Sequence, residues 1–164
     1  MVKVRSFFTY GPIGKRFKVL SMSWPCYKSG WICKDHQVLT LGTGKLLSWR
    51  MIECSIPHHP SYDGICINGC LYYQAMVDQG SGVSAIICFD VRSEKFSFIH
   101  KAKGAALWRE STLVNYKGRL GTLTADRDEL TGESRYMELW LLVDAEKHEW
   151  SEACFTPSRR RGTM

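Results

Sequence analysis

The chain has 164 residues, 45% apolar and 12% aromatic, enough for one folded domain with its own core and too apolar for a disordered chain. Its formal charge of +6 does not mark a phosphate-tracking surface. Five basic residues and no acid stand in the first 18 positions, Arg159, Arg160 and Arg161 stand near the end, and the body between holds 14 basic against 16 acidic residues, whereas a nucleic-acid binder concentrates positive charge on a folded face.

In chain order, Phe17 to Met22 and Gln37 to Leu41 alternate with a period near two and read as half-buried strands. Ser23 to Asp35 reads as a loop, because Trp24-Pro25 and Ser29-Gly30 interrupt the pattern. Ser48 to Glu53 alternates again, and Pro57 and Pro60 bound a connection. Gly64 to Tyr73 holds Asn68-Gly69, the strongest short hairpin signal, since a type I′ turn needs positive φ at both central residues. Asp78 to Ser84, with Gly80 and Gly82, reads as a flexible connection. Ile86 to Asp90 and Glu94 to Ile99 follow as strands. Lys101 to Glu110 reads as a linker with at most one helical turn, being short and broken by Gly104. Leu113 to Leu120 is a second hairpin, with Asn115-Tyr116-Lys117-Gly118 read as a longer loop. Asp126 to Arg135 is a polar loop, and Leu139 to Asp144 and Glu146 to Trp150 complete the set.

These segments form a unit that recurs about three times. The corresponding turns at Gly42, Asp90 and Asp144 are 48 and 54 residues apart, a spacing that points to propeller blades. An Asp ending the third strand is placed to accept hydrogen bonds from turn N–H groups. The expected fold is all-β, a kelch-like partial β-propeller of about three four-stranded antiparallel blades.

No apolar run approaches the ~20 residues of a membrane helix, and the first residues carry no continuous apolar stretch or small-residue cleavage site. Seven cysteines, an odd number, mostly lie in apolar strand runs, as Cys66, Cys70, Cys88 and Cys33 do. Free thiols in a reducing compartment are expected, which places the chain inside the cell, in cytoplasm or nucleus.

Cys54-x3-His58-His59-x6-Cys66-x3-Cys70 collects donors that zinc accepts. Cys66 and Cys70 straddle the Asn68-Gly69 turn, however, and His58 and His59 sit beside prolines in what reads as an exposed connection. The reading is therefore buried thiols and surface histidines, with no metal ligand and no cofactor. Leu41-Gly42-Thr43-Gly44-Lys45-Leu46 lacks the first glycine and the Ser or Thr of a phosphate loop, and reads as a hairpin turn. No Cys, His and Asp order matches a nucleophile signature, and Asp126, Asp128 and Glu129 fall in a polar loop, so no catalytic residue is assigned. Trp49 and Trp150 occupy matching places and are expected to pack between blades. Trp24, Trp31 and Trp108 lie in connections and are the candidate partner-binding residues, set against the alternative that they cap sheet ends.

Taken together, Tyr10-Gly11-Pro12-Ile13-Gly14-Lys15-Arg16-Phe17-Lys18-Val19-Leu20, His36-Gln37-Val38-Leu39-Thr40-Leu41-Gly42, Ser48-Trp49-Arg50, Gly64 to Gly69, Cys88 to Phe96 and Asn115 to Leu120 resemble the plant F-box-associated domain of type 3. Gly11 departs from the family pattern, which has Asp after the first Tyr. The resemblance covers roughly residues 7 to 155 and implies a single associated domain over 1–164 with a basic disordered tail at 156–164. It implies a kelch-type propeller or part of one, and a substrate-holding role beside an F-box that docks onto a Skp-type adaptor of a cullin ubiquitin ligase. No F-box is read in this chain, since Met1 leads almost directly into strand sequence, so contact with the adaptor is not expected. The resulting expectation is a non-catalytic protein-interaction module for an unknown protein substrate, with no nucleic-acid or membrane partner. The alternatives are a truncated copy without independent function and a small Cys/His metal-binding protein.

Overall fold

In the computed structural model every described residue belongs to a β-strand or a connection. The described residues are 1–25, 33, 35–42, 44–61, 63–77, 83–102, 111–127 and 134–155. The chain divides into two compact units, Met1–Lys101 and Ala102–Met164.

The first unit contains two antiparallel sheets. One has the order β1-β2-β3-β4, from β1 (Val2–Gly11), β2 (Arg16–Pro25), β3 (Asp35–Thr40) and β4 (Arg50–Ile52). The other runs β5-β7-β8-β9, from β5 (His59–Pro60), β7 (Cys70–Met76), β8 (Ser84–Asp90) and β9 (Lys95–Ile99), with β6 (Ile65–Ile67) also paired to β7. The second unit is one antiparallel sheet, β10 (Thr112–Tyr116), β11 (Arg119–Arg127), β12 (Ser134–Asp144) and β13 (Glu149–Phe155), paired in chain order. Three short meanders in sequence order are the partial propeller expected from the repeat.

Period-two alternation builds the core of the first unit. Phe7 of β1, Leu20 and Met22 of β2 and Val38 of β3 turn inward from the first sheet, and Leu71, Tyr73, Ala75, Ile87 and Phe89 turn inward from β7 and β8. Phe7 stacks on Tyr73 with ring centroids 4.9 Å apart. Strand β8 is buried on both faces, with Ile86 and Ile87 each fully covered, which explains why its sequence is a continuous apolar run rather than an alternation.

The turns follow local chemistry. Asn68 and Gly69 both take positive φ, 48° and 80°, as a type I′ turn requires. Lys117 and Gly118 take nearly the same pair, 50° and 81°, with Tyr116 paired to Arg119. The second hairpin is thus the same two-residue turn and not the longer loop expected. Asn115 Oδ1 accepts the Gly118 N–H at 2.8 Å, which holds a Lys where Asn would be usual. Asp90 Oδ1 accepts the N–H groups of Arg92 and Ser93 at 2.9 and 2.8 Å, and Asp144 Oδ1 those of Glu146 and Lys147 at 2.9 and 3.0 Å. The two aspartates make the same turn in two sheets, as the repeat indicates.

Two further expectations are corrected. The loop read from Ser23 begins later, because Ser23, Trp24 and Pro25 continue β2 by pairing with Val4, Lys3 and Val2. A strand end tolerates proline there, since no further ladder bond is demanded of it. Cys66, Cys70 and Cys88 are only partly buried, while Cys33 is buried; an apolar run sets strand character without deciding which face is covered. The linker at 103–110 and the connections at 78–82 and 128–133 lie outside the described residues, as does the basic tail at 156–164. No helix among the described residues is long and apolar enough to cross a membrane.

Candidate functional site

Two places in the first unit gather chemically active side chains. The first is the end of the sheets around the β1–β2 and β8–β9 turns. Glu94, held at φ 58° just before β9, receives Lys18 Nζ at 2.8 Å and Arg50 Nη2 at 2.7 Å on the same carboxylate oxygen. Lys18 Nζ also donates to the Val91 carbonyl at 2.8 Å. The triad joins β2 and β4 of one sheet to the turn of the other. Its inner pair is sheltered, the Lys18 and Glu94 side chains being 12% and 16% exposed.

Around this triad the surface is hollowed. A depression of about 270 Å³ is lined by Gly14, Arg16, Lys18, Thr40, Val91 and Arg92. A second, of about 380 Å³, is lined by Arg16, Lys45, Leu46, Leu47 and Arg50 together with Thr40 and Ser48. Arg16 belongs to both, and among the described residues no carboxylate lines either. Five cations thus line the two depressions, and two of them, Lys18 and Arg50, meet on the Glu94 carboxylate, with Leu46 (97% exposed) and Ile13 standing out as apolar projections.

Burial alone pushes the Glu94 carboxyl up, but hydrogen bonds from Arg50 and Lys18, and their charges, outweigh it and hold the group below its ordinary value of 4.5. A depressed carboxyl favours the folded state above the unfolded pKa and loses that contribution as pH falls through the folded value. Glu94→Gln is therefore expected to cost about 1 kcal/mol at pH 7 and almost nothing once the pH has fallen below the lowered folded-state pKa of Glu94, a loss of acid-limb slope measurable in urea titrations at several pH values.

The second place is buried. His36 points inward from β3, and its partner across the ladder, Ile52, also faces the core. Two residues beyond Ile52, alternation returns Cys54 to the same side. The Cys33 N–H donates to the His58 carbonyl at 3.0 Å, which draws the β4–β5 connection against the segment before β3. One donor atom each from His36, Cys54 and His58 lies within 4.8 Å of the others. Cys54 Sγ is 3.9 Å from His58 Nδ1, and the two imidazole centroids are 5.4 Å apart. The Phe96 ring packs 5.3 Å from His36.

His58 is 1% exposed, so it is no surface histidine; its flanking prolines marked a connection that the fold in fact buries. Its Nδ1 lies 2.7 Å from the Ile56 carbonyl and its Nε2 2.7 Å from the Tyr73 hydroxyl. His36 is 4% exposed and its Nε2 has no hydrogen-bond partner among the described residues, which leaves about 1–3 kcal/mol of desolvation uncompensated. Burial, then the neighbouring His58, lowers the His36 pKa to about 4, and burial lowers that of His58. Burial, with Cys54 adding to it, lifts the Cys33 thiol to about 12. Both imidazoles are neutral at pH 7.

Of the five residues in the sequence-derived donor pattern, the structure unites Cys54 and His58. His59 is partly exposed beside Trp24, and Cys66 donates to the Tyr10 carbonyl at 3.6 Å. Cys70 sits instead with Cys88 and Tyr72, where a hydrogen bond from the Cys88 thiol draws its pKa down to about 7. His36 and Cys33 escaped the reading, although the spacing Cys33-x2-His36 was there to be found beside Cys54-x3-His58. Among the candidate partner-binding tryptophans, Trp24 packs against the core cluster from β2, whereas Trp31 and Trp108 lie outside the described residues. Trp49 is 49% exposed rather than packed between sheets, because it precedes β4 at the sheet edge.

The family model described as F-box associated beta propeller domain matches residues 2–163. Among similar proteins of Arabidopsis thaliana, F-box protein At5g65850 is 52% identical over 151 residues, covering 89% of this chain and 35% of that protein. F-box protein DOR is 50% identical over 145 residues, covering 88% and 35%, and putative F-box protein At3g23960 is 48% identical over 155 residues, covering 91% and 38%. The chain spans about a third of the length of the curated relatives it matches. A match over nearly every residue, on three meanders with the turn chemistry described above, makes the chain a member of the F-box associated beta propeller domain family.

Proposed function

We propose that the chain is a non-catalytic module that holds an acidic segment of a protein partner at the basic end of its first unit. The observation that carries this reading is the pair of depressions sharing Arg16, whose walls gather Arg16, Lys18, Lys45, Arg50 and Arg92, two of them paired with Glu94, with Leu46 and Leu47 at the margin. Excess positive charge steers an acidic partner and fixes its register, while apolar projections supply the area that anchors it. In the ubiquitin-ligase setting that the resemblance implies, that partner is the substrate. Loops on a β scaffold suit such a role, because they vary without disturbing the sheets.

Selection from a random peptide library tests the proposal. The chain is expected to enrich sequences that combine Asp or Glu with Leu or Phe. The double variant Arg16→Glu/Lys45→Glu is expected to weaken a selected peptide by at least ~10-fold, about 1.4 kcal/mol, while Lys147→Glu in the second unit leaves it unchanged. Enrichment indifferent to peptide charge, or equal binding by the double variant, overturns it.

A further inference from the structure

We propose that His36, Cys54 and His58, with Cys33 as the fourth donor, form a structural site for a borderline-soft divalent cation of the zinc type. The donor set is two thiols and two imidazoles, spaced Cys33-x2-His36 and Cys54-x3-His58, which is the chemistry and the short spacing that tetrahedral zinc uses. For three of the four donors, His36, Cys54 and His58, the geometry is close to formed. Zinc holds a sulfur and a nitrogen donor about 3.5 Å apart, given Zn–S near 2.3 Å and Zn–N near 2.0 Å. Cys54 Sγ and His58 Nδ1 are already at 3.9 Å, and the donor atom of His36 lies within 4.8 Å of both. Cys33 is buried and its N–H is tied to the His58 carbonyl, but its sulfur lies outside the 4.8 Å group of the other three donors and would have to turn toward them as the cation binds.

A second observation points to a ligand independently of this clustering. His36 Nε2 is enclosed in protein and has no hydrogen-bond partner among the described residues, at a residue 4% exposed. A buried ring nitrogen left over by the packing is what a metal donor is without its ion. The surroundings also supply an orienting group. With His58 Nδ1 on the cation, its 2.7 Å hydrogen bond to the Ile56 carbonyl is given up, the proton moves to Nε2 and is donated to the Tyr73 hydroxyl, 2.7 Å away, which in turn donates to Met22 Sδ at 3.6 Å. A ligating histidine ordinarily gives its second N–H to such a partner. The two thiol protons leave to solvent as the cation binds, while both imidazoles stay neutral. The site would fasten the segment before β3 to the connection between the first two sheets.

Cobalt(II) titration of the metal-stripped 164-residue chain tests this. One equivalent is expected to give the intense visible bands of tetrahedral cobalt and a near-ultraviolet thiolate band, both abolished by added zinc. Cys33→Ser is expected to halve the thiolate band, and Cys54→Ser or His36→Gln to remove the tetrahedral spectrum, while Cys66→Ser and Cys70→Ser leave it intact. Weak octahedral bands alone, or spectra unchanged in Cys54→Ser and His36→Gln, overturn the assignment. An undiminished band in Cys33→Ser overturns the four-donor site. Should the variants fail to fold, the unaltered chain still decides: zinc at a thousandfold above its Kd is expected to raise the thermal midpoint by about 10 °C, reversibly with chelator, and no rise refutes the site.

Discussion

Tyr73→Ala is expected to cost about 3–5 kcal/mol of unfolding free energy, enough to leave the first unit marginal under ordinary conditions. The side chain is fully buried at the centre of the cluster where the first two sheets meet, stacked on Phe7 and reaching past Met22 to His58. Its removal takes away the ring's transfer free energy and leaves a cavity that two sheets, each held by its own ladder, cannot close. Tyr73→Phe separates the two roles of the residue. It keeps the ring and deletes only the hydroxyl that meets His58 Nε2, so the metal-free protein is expected to lose about 1–3 kcal/mol, the cost of a buried polar atom without its partner. Urea denaturation of both variants reads the difference, with an unchanged m-value confirming that folded and unfolded states expose the same surface. If Tyr73→Ala loses less than Tyr73→Phe is expected to, the Phe7–Tyr73 stack does not join the sheets.

How much of this was legible beforehand depended on the distance over which each feature is decided. Asn68-Gly69, Asp90 and Asp144 were readable because a turn is closed by groups two or three residues apart. The order of three meanders followed from their spacing. Lys117-Gly118 was misjudged by a narrow margin: Lys seldom takes positive φ, and the Asn115 side chain that closes the turn sits two places before it. Trp24-Pro25 looked like a break, yet the N-terminal strand runs long enough to pair with both. The buried Cys/His cluster was least accessible. Prolines on either side of His58-His59 correctly mark a connection, but the burial of His58 is set by the Cys33 N–H and by Tyr73, respectively 25 and 15 residues away in the chain. His36 looked like one more strand residue, and only the pairing of β3 with β4 brings it beside Cys54. The basic end was half visible: the charge of the first 18 residues was evident, whereas the carboxylate that organises Lys18 and Arg50 comes from Glu94, in another sheet.

The same long-range dependence makes Gly64 a sharper probe of sheet packing than its place before a short strand implies. A Cβ at Gly64 would stand 2.9 Å from Leu71 Cδ1, 3.0 Å from the Tyr72 carbonyl oxygen and 3.1 Å from Phe7 Cδ1. Leu71 and Phe7 belong to the shared core and the Tyr72 oxygen to the backbone of β7, so the neighbours cannot step aside singly. Gly64→Ala is therefore expected to destabilise by about 2–3 kcal/mol, through overpacking that pushes β1 away from β7, even though alanine lowers the entropy of the unfolded chain. Gly14→Ala is the matched control. Its Cβ would come no closer than 3.5 Å, to the flexible Arg16 Cγ, and it is expected to stay within ~0.5 kcal/mol of the parent. A displaced β1 also carries its hairpin with it, and with that Arg16 and the Lys18 that meets Glu94. Gly64→Ala is thus expected to weaken a peptide selected for the basic end as well as to lower the urea midpoint, whereas Gly14→Ala, whose residue lines the first depression, is a control for the urea midpoint alone. A Gly64→Ala protein as stable as the parent shows that the first two sheets separate freely at this point, and that the close approach of Phe7 to Leu71 does not hold the basic end in place.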